Sequence, residues 1–404
     1  MACLSQKFET NFWGRTPGPR AGARLAAVAA ALLLAVLAAS GARAQSLELF
    51  VVRGVEVDVT GESASAAREA ALLAGQRKAL ELLLLRLALP EDVAGLPPLG
   101  DAEITEMVHD FEVESERASS VRYLGTLAFR LRAAPVRRLL ERNGIRFAET
   151  VSKPLAVLPV LTAGGTSLLW DDANAWLAAW AARPPAEELV PLVVPLGDLG
   201  DIAAVDAAAA LAGDPARLAA VASRYGGGDT LVAEARLEAA TAAGGAAALD
   251  LVLRRYGPDG LAESWRERVE SLDAAPAALF ARAVERAAAI VQAAWKQQSL
   301  VSFGTEQSLA ASVPIERLAD WIELNRRLGA IATVRRVDLL YLARDEARLD
   351  LVFVGDRAQL DRALTQQDLS LAPADAPDAW VLRLRAPPAP PAPSPDSRPT
   401  ALPE

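Results

Sequence analysis

The chain has 404 residues, 52% of them hydrophobic and 23% charged, with 42 Lys/Arg against 51 Asp/Glu. An apolar share of that size supports packed cores and excludes an intrinsically disordered body. The formal net charge of −9 repels phosphate backbones and anionic headgroups, which argues against a nucleic-acid partner.

Residues 1–44 read as a secretory signal peptide. Lys7, Arg15, Arg20 and Arg24 precede an apolar run from Leu25 to Ala39, and Ala42-Arg43-Ala44 places small residues where a signal peptidase reads. Cleavage is expected after Ala44, releasing a chain that starts at Gln45 into the periplasm. The alternative is an uncleaved amino-terminal anchor in the inner membrane. The apolar run is short for a span, which needs roughly 20 residues. Asp206 and Asp214 break the Ala-rich run after Ile202, so no stable membrane span is expected after cleavage. Five Lys/Arg and one acid leave with the signal: 42 less 5 gives 37 basic residues, 51 less 1 gives 50 acidic ones, and the net charge falls to −13. The sole cysteine, Cys3, leaves too, and the sole histidine is His109. That excludes disulfides, thiol nucleophiles and thiolate metal sites. One histidine without cysteines leaves few options for zinc, copper or haem. No cofactor is expected, and only a hard ion on carboxylates would suit this composition.

Residues 47–150 form the first predicted module. Val55, Val57 and Val59 alternate with polar residues, so Val51–Thr60 reads as a strand. Gly61-Glu62-Ser63 turns the chain, with Ser63 or Ser65 as helix cap. Ala70, Leu73, Ala74, Leu80, Leu84 and Leu87 fall on one helical face, and Pro90 ends the helix. After an acidic stretch, Val121–Arg132 alternates as a second strand. Pro135 starts a short helix with Val136, Leu139 and Leu140 inward and Gly144 as its stop.

Residues 153–298 form a central α/β module. Leu155–Leu161 is a short apolar strand. Asp171 or Asp172 caps a helix carrying Trp176 and Trp180, which Pro184-Pro185 breaks. Leu189–Val194 is a second strand, and Asp214-Pro215 starts a helix that stops at Gly226-Gly227-Gly228. Thr230–Ala239, Ala247–Tyr256 and Leu261–Val269 read as an antiparallel meander, turned at Gly244-Gly245 and at Gly257-Pro258-Asp259-Gly260. A closing helix carries Ala277, Ala281, Val284, Ala288, Val291 and Trp295 as one apolar stripe.

Residues 300–385 follow the order strand (Leu309–Val313), helix (Leu318, Trp321, Ile322, Asn325), strand (Val334–Leu342), strand (Leu349–Val354), helix (Leu360, Ala363, Leu364), strand (Trp380–Leu384). This βαββαβ order is ferredoxin-like and predicts buried Trp321 and Trp380. Residues 386–404 hold eight prolines and read as an extended, disordered tail. The fold class expected is therefore α+β, built from several small modules.

Three stretches carry a family resemblance: Val55–Leu87; Leu155–Trp180, with Leu158-Pro159-Val160 and Leu169-Trp170-Asp171-Asp172-Ala173-Asn174-Ala175-Trp176; and Trp321–Leu384. Through them the chain resembles the exported proteobacterial family called domain of unknown function 2066, over most of residues 47–385. The resemblance implies export and this layout, and brings no catalytic residue with it. The first module also resembles the small αβ domains of outer-membrane and flagellar-associated envelope proteins. The strand opening the second resembles the amino-terminal domain of the Tol-system periplasmic propeller protein. Both resemblances imply envelope interaction modules rather than enzymes, with envelope proteins as the expected partners.

Trp170, Asp171, Asp172 and Asn174 are the candidate binding residues. Aromatic faces beside carboxylates suit a carbohydrate or peptide. The plainer reading has the acids capping the helix and Trp176 and Trp180, four apart, buried on one face. Trp170 would then staple back onto the first turn near Trp176. His109 sits beside Asp110 among Glu103, Glu106, Glu112, Glu114 and Glu116, where a general base is conceivable. No elbow serine supports a triad, and alternating acids describe a strand with one wet face. Gly164-Gly165 follows a strand and precedes a helix, so anion binding is conceivable there; neither glycine cluster matches a phosphate loop. No catalytic residue is nominated. The function expected is an exported, non-catalytic envelope protein that binds protein partners. The alternative is a carboxylate-based hydrolase of envelope glycans, needing two acids about 5–10 Å apart. The sequence sets no oligomeric state.

Overall fold

The structure is a computed structural model that describes residues 49–184, 186–238, 247–271, 276–300, 306–374 and 380–385. The signal segment, the Gly244-Gly245 turn and the Pro-rich tail lie outside the described residues. The protein is α+β.

In the first module, β1 (Val51–Thr60) is followed by helices α1 (Ala64–Leu87), α2 (Pro90–Ala94) and α3 (Asp101–Met107), then by β2 (Val108–Ala118), β3 (Arg122–Leu131) and α4 (Ala133–Arg142). The sheet is antiparallel in the order β1-β3-β2. Ser63 caps α1, its side chain accepting from the Ala66 N–H. The buried face of α1 differs from the expected one. Ala70 and Ala74 are exposed and Leu73 is half-buried. Instead Ala67, Ala71, Gly75, Ala79 and Leu83 run inward at four-residue spacing, joined by Leu80, Leu84 and Leu87. Small residues bring the helix backbone close to the sheet, and alanine is apolar enough to fit either face, so periodicity misplaces the stripe. Pro90 opens α2 rather than closing α1, which ends at Leu87; at a first helical position its missing N–H is no loss. Helix α4 buries Val136, Leu139 and Leu140 as expected.

The central module is built on β4 (Leu155–Ala163), buried on both faces from Leu155 to Leu161. Gly164 and Gly165, at φ +57° and +82°, turn it straight into β5 (Thr166–Leu168). Two successive left-handed residues are what a type I′ two-residue hairpin requires, so this pair makes a hairpin, not an anion-binding loop before a helix. Helix α5 (Ala175–Ala181) follows. The expected strand Leu189–Val194 narrows to β6 (Leu192–Val193), parallel to β4. The Ala-rich stretch beyond holds two short helices that periodicity does not reveal, α6 (Leu199–Ala204) and α7 (Ala207–Ala212), capped by Asp198 and Asp206. Helix α8 (Pro215–Arg224) starts at Asp214 as expected. Strand β7 (Asp229–Glu238) lies parallel to β4 and leads through β8 (Ala247–Gly257) to β9 (Gly260–Ser271), the expected antiparallel meander. On α9 (Pro276–Ser299) the stripe begins at Leu279 and Phe280. Ala277 and Ala281 are exposed, while Val284, Ala288, Val291 and Trp295 are buried as expected. One contiguous core runs through both modules, from Leu83 and Leu140 to Leu155, Trp176 and Trp295. A second lies on the opposite face of the central sheet, around Leu158, Val205, Leu218 and Val221.

In the third module, β10 (Gln307–Pro314), α10 (Leu318–Gly329), β11 (Val334–Leu342), β12 (Glu346–Phe353) and α11 (Arg357–Gln366) keep the expected βαββα order. An additional strand, β13 (Leu369–Pro373), then takes the far edge, and β14 (Trp380–Leu384) turns back between it and β10, giving the order β11-β12-β10-β14-β13. The hairpin reverses β14, which runs parallel to β10; a four-stranded ferredoxin-like sheet has its last strand antiparallel there. Helix α10 buries Leu324 and Leu328, not Leu318 and Ile322, which are 64% and 40% exposed. Trp321 and Trp380 are half-buried rather than largely buried. The Arg357 guanidinium covers the outer face of the Trp380 ring at 3.4 Å from its centroid. No helix among the described residues is long and apolar enough to cross a membrane.

Candidate functional site

The four binding residues picked from sequence do not converge. Asn174, not Asp171 or Asp172, is the cap of α5: its Oδ1 accepts from the Trp176 and Leu177 N–H groups at 3.1 and 3.0 Å. Its Nδ2 donates to the carbonyls of Pro159, Leu168 and Leu169 at 2.9, 3.1 and 2.9 Å. The residue is buried, and its amide is engaged inside the protein. Asp171 accepts from the Ala173 N–H at 2.7 Å, and both it and Asp172 are exposed. Trp176 and Trp180 are buried, edge to face with centroids 5.7 Å apart, and Trp176 Nε1 donates to Ala233 O at 2.8 Å. Trp170 does not staple onto Trp176. It packs on the other side of the sheet, where its Nε1 donates to Val205 O at 2.7 Å and anchors the end of α6.

His109 is exposed on β2, its Nδ1 2.7 Å from Asp110 Oδ2, which also accepts from Arg130 at 3.2 Å. Glu103 pairs with Arg142 and Glu116 accepts from the Tyr123 hydroxyl. This is a solvated charged edge; β2 is wet on both faces, with even Phe111 42% exposed.

A cleft of about 670 Å³ opens where the three modules meet, lined by Arg53, Arg86, Arg137, Lys153, Glu149, Glu187 and Asp368 among others. Its charges answer one another. Arg137 grips the buried Glu149 through two 2.7 Å bonds, and this hydrogen bonding raises the guanidinium's pKa. Arg86 donates to Leu49 O and Val51 O at 2.7 Å each and to Glu187 at 3.1 Å; burial pushes its pKa down, with Glu187 opposing. Lys153 pairs with Asp368, and its N–H donates to Gln366 at 2.7 Å. Behind this wall, Lys296 donates to Leu85 O and Ala88 O at 2.9 and 3.1 Å. It closes the carbonyl end of α1, where a cation is favourable. These groups tie the modules together. Among the described residues, no group of three or more His, Cys, Asp or Glu converges as a metal site requires.

Elsewhere the chain presents apolar surface. Leu339, Leu340, Tyr341 and Leu342, at the end of β11, are 46, 65, 54 and 45% exposed. The strand is an edge of its sheet. Its register with β12 slips between Leu339 and Tyr341, leaving Leu340 outside the ladder. The Ile315 N–H, just past the end of β10, donates to Asp345 O at 2.9 Å and holds the β11–β12 hairpin tip to β10; Leu318 and Ile322, in the first turns of α10, are exposed as well. Other edges are defended by familiar means. Strand β2 carries Asp110, Glu112, Glu114, Glu116 and Arg117; β9 carries Glu263, Arg266, Glu267, Arg268 and Glu270. Strand β13 is five residues long and ends in Pro373; β5 and β6 are shorter still. The sequence held one signal for this surface. Four consecutive apolar residues in a strand must point to both faces, and an edge strand has little to cover the outer one. No protein-family model matches the chain, and no curated protein matches it.

Proposed function

We propose that this protein is exported to the periplasm and works there by binding a protein partner, not by catalysis, at the exposed end of the edge strand β11. The observation that carries the reading is the exposed Leu339–Leu342 run on an edge strand. Burying apolar area gains roughly 25 cal/mol per Å². A cluster of such residues on an open edge is what a partner strand or helix covers. Export rests on the pattern of residues 1–44, and the family resemblance points the same way.

The test is site-specific photo-crosslinking in intact cells. A photoreactive residue at Leu340 should give a protein adduct, and one at Glu112 on the charged β2 edge should not. Absence of any adduct from position 340 removes this surface as the site. Amino-terminal sequencing of the exported chain should begin at Gln45; a start at Met1 means an amino-terminal anchor instead.

A further inference from the structure

We infer that the Pro-rich residues 386–404, which lie outside the described residues, fold back and occupy the cleft between the three modules as an extended strap. The inference is independent of the partner surface on β11. The first ground is where the chain leaves the third module. The Arg385 N–H donates to Asp368 O at 2.7 Å, and Gln366, Gln367 and Asp368 belong to the cleft lining. Residue 386 therefore starts at the rim. Residues 386–393 span about 25 Å as polyproline II, so the segment enters without a linker. Such tethering sets its effective concentration in the millimolar range.

The second ground is hydrogen-bonding capacity. Each of the four carboxylates in the lining already holds a cation. Arg137 grips Glu149, Arg53 and Arg86 share Glu187, Arg183 takes Glu188, and Lys153 pairs with Asp368. The side-chain capacity left over is donor capacity. Among the described residues, the Arg335 guanidinium has no ion pair or hydrogen bond, and the side-chain N–H groups of Gln366 and Gln367 have no acceptor. Such a cleft suits a segment rich in acceptors and poor in donors. Pro387-Pro388-Ala389-Pro390-Pro391-Ala392-Pro393 is one, with a carbonyl on every residue and an N–H only on Ala389 and Ala392. An ordinary peptide would bring an N–H with each carbonyl and set it against acids already taken. The third ground is shape. The three-residue period puts Ala386, Ala389 and Ala392 along one edge of a polyproline II helix and proline rings on the other two. Val151, Pro154, Pro191 and Ala332 give the cleft apolar surface between its charges, against which the rings pack. A segment already extended loses little chain entropy on seating.

The test is intramolecular disulfide trapping in the full chain. Cys3 is the only cysteine, so Cys3→Ser gives a clean background. Ala392→Cys is combined either with Val151→Cys in the cleft wall or with Ala372→Cys on the free edge of β13, outside the cleft. Both positions are exposed. Both lie within reach of residue 392, which stands up to about 22 Å from Arg385 as polyproline II: Val151 is two residues from the Lys153 that holds Asp368, and Ala372 pairs with Val381, four residues before Arg385. A seated strap should trap with position 151 at least about tenfold faster than with position 372. Two variants should bring the 151 rate down to the 372 rate at an unchanged melting temperature. One is Arg335→Glu, which turns the open donor into an acceptor. The other is P387S/P388S/P390S/P391S/P393S, which restores the missing N–H groups. Equal rates at the two positions, or a rate at 151 that neither variant lowers, overturns the inference.

Discussion

Asn174 donates to the Pro159 carbonyl at 2.9 Å while its Oδ1 accepts the N–H groups that start α5. One buried amide thus fixes the tryptophan helix to the central strand β4. Asn174→Ala removes a cap, costing about 1 kcal/mol, and strands buried carbonyls at about 1–3 kcal/mol. The expected loss is roughly 2–4 kcal/mol in urea unfolding. Asn174→Asp should fare no better, since it keeps the cap acceptor but turns a donor toward three carbonyls into an anion.

Trp170 and Trp176 should separate in energy. Trp170→Phe keeps an aromatic ring and loses the hydrogen bond to Val205 O, costing about 0.5–1.5 kcal/mol. Trp176→Ala empties a fully buried site and should cost about 3–5 kcal/mol. Equal losses in chemical denaturation would mean that Trp170 carries far more packing than its half-buried position indicates.

Gly75→Ala sets two effects against each other. Alanine is better than glycine within a helix by about 1 kcal/mol. Its Cβ, however, would stand 2.9 Å from Phe129 Cζ and 3.2 Å from Val57 Cγ1, and Phe129 is itself fully buried. Overpacking of this kind costs about 1–3 kcal/mol, so a net loss of stability is expected. A raised melting temperature would show that Phe129 moves aside without penalty.

Lys296 should give an alkaline signature. Burial lowers the pKa of its ammonium below 10.5, partly offset by Glu91 and Glu188. Between the depressed folded value and the ordinary one, the unfolded chain holds the proton that the folded chain has lost. Stability therefore rises with pH in that window. Lys296→Met should flatten that rise, and Lys296→Ala should cost about 1–3 kcal/mol by leaving Leu85 O and Ala88 O without this donor. The check is unfolding free energy against pH for the three proteins.

Glu323 should act at the acid end. The Arg326 guanidinium, with Arg327 beside it, holds its carboxyl down to about 2 against an ordinary 4.5. A depressed carboxylate stabilises the fold above its unfolded value, and that contribution is lost as pH falls from about 4.5 through about 2. A third of the side chain is exposed, so solvent screens the effect and the slope is shallow. Glu323→Gln should remove that slope; an acid limb identical to that of the wild type would show that the pair contributes nothing.

The sequence by itself determined the kinds of element and most of their order. Alternation marked β1, β3 and the β7–β9 meander, Asp214-Pro215 marked the start of α8, and Trp176 with Trp180 marked a buried helical face. Those signals are local, because strand period, helix period and cap chemistry act within a few residues. Tertiary structure decided which face of α1 turns inward, since alanine stripes are apolar enough for either side and only close approach to β1 and β3 selects one. It decided that Asn174, rather than the two acids before it, has the buried position where three carbonyls need a donor. It decided that a β13–β14 hairpin reverses the last strand against β10. Above all it decided that Leu339–Leu342 lies on an edge. A run of four apolar residues in a strand needs cover on both faces, and only the order of strands leaves this one facing water.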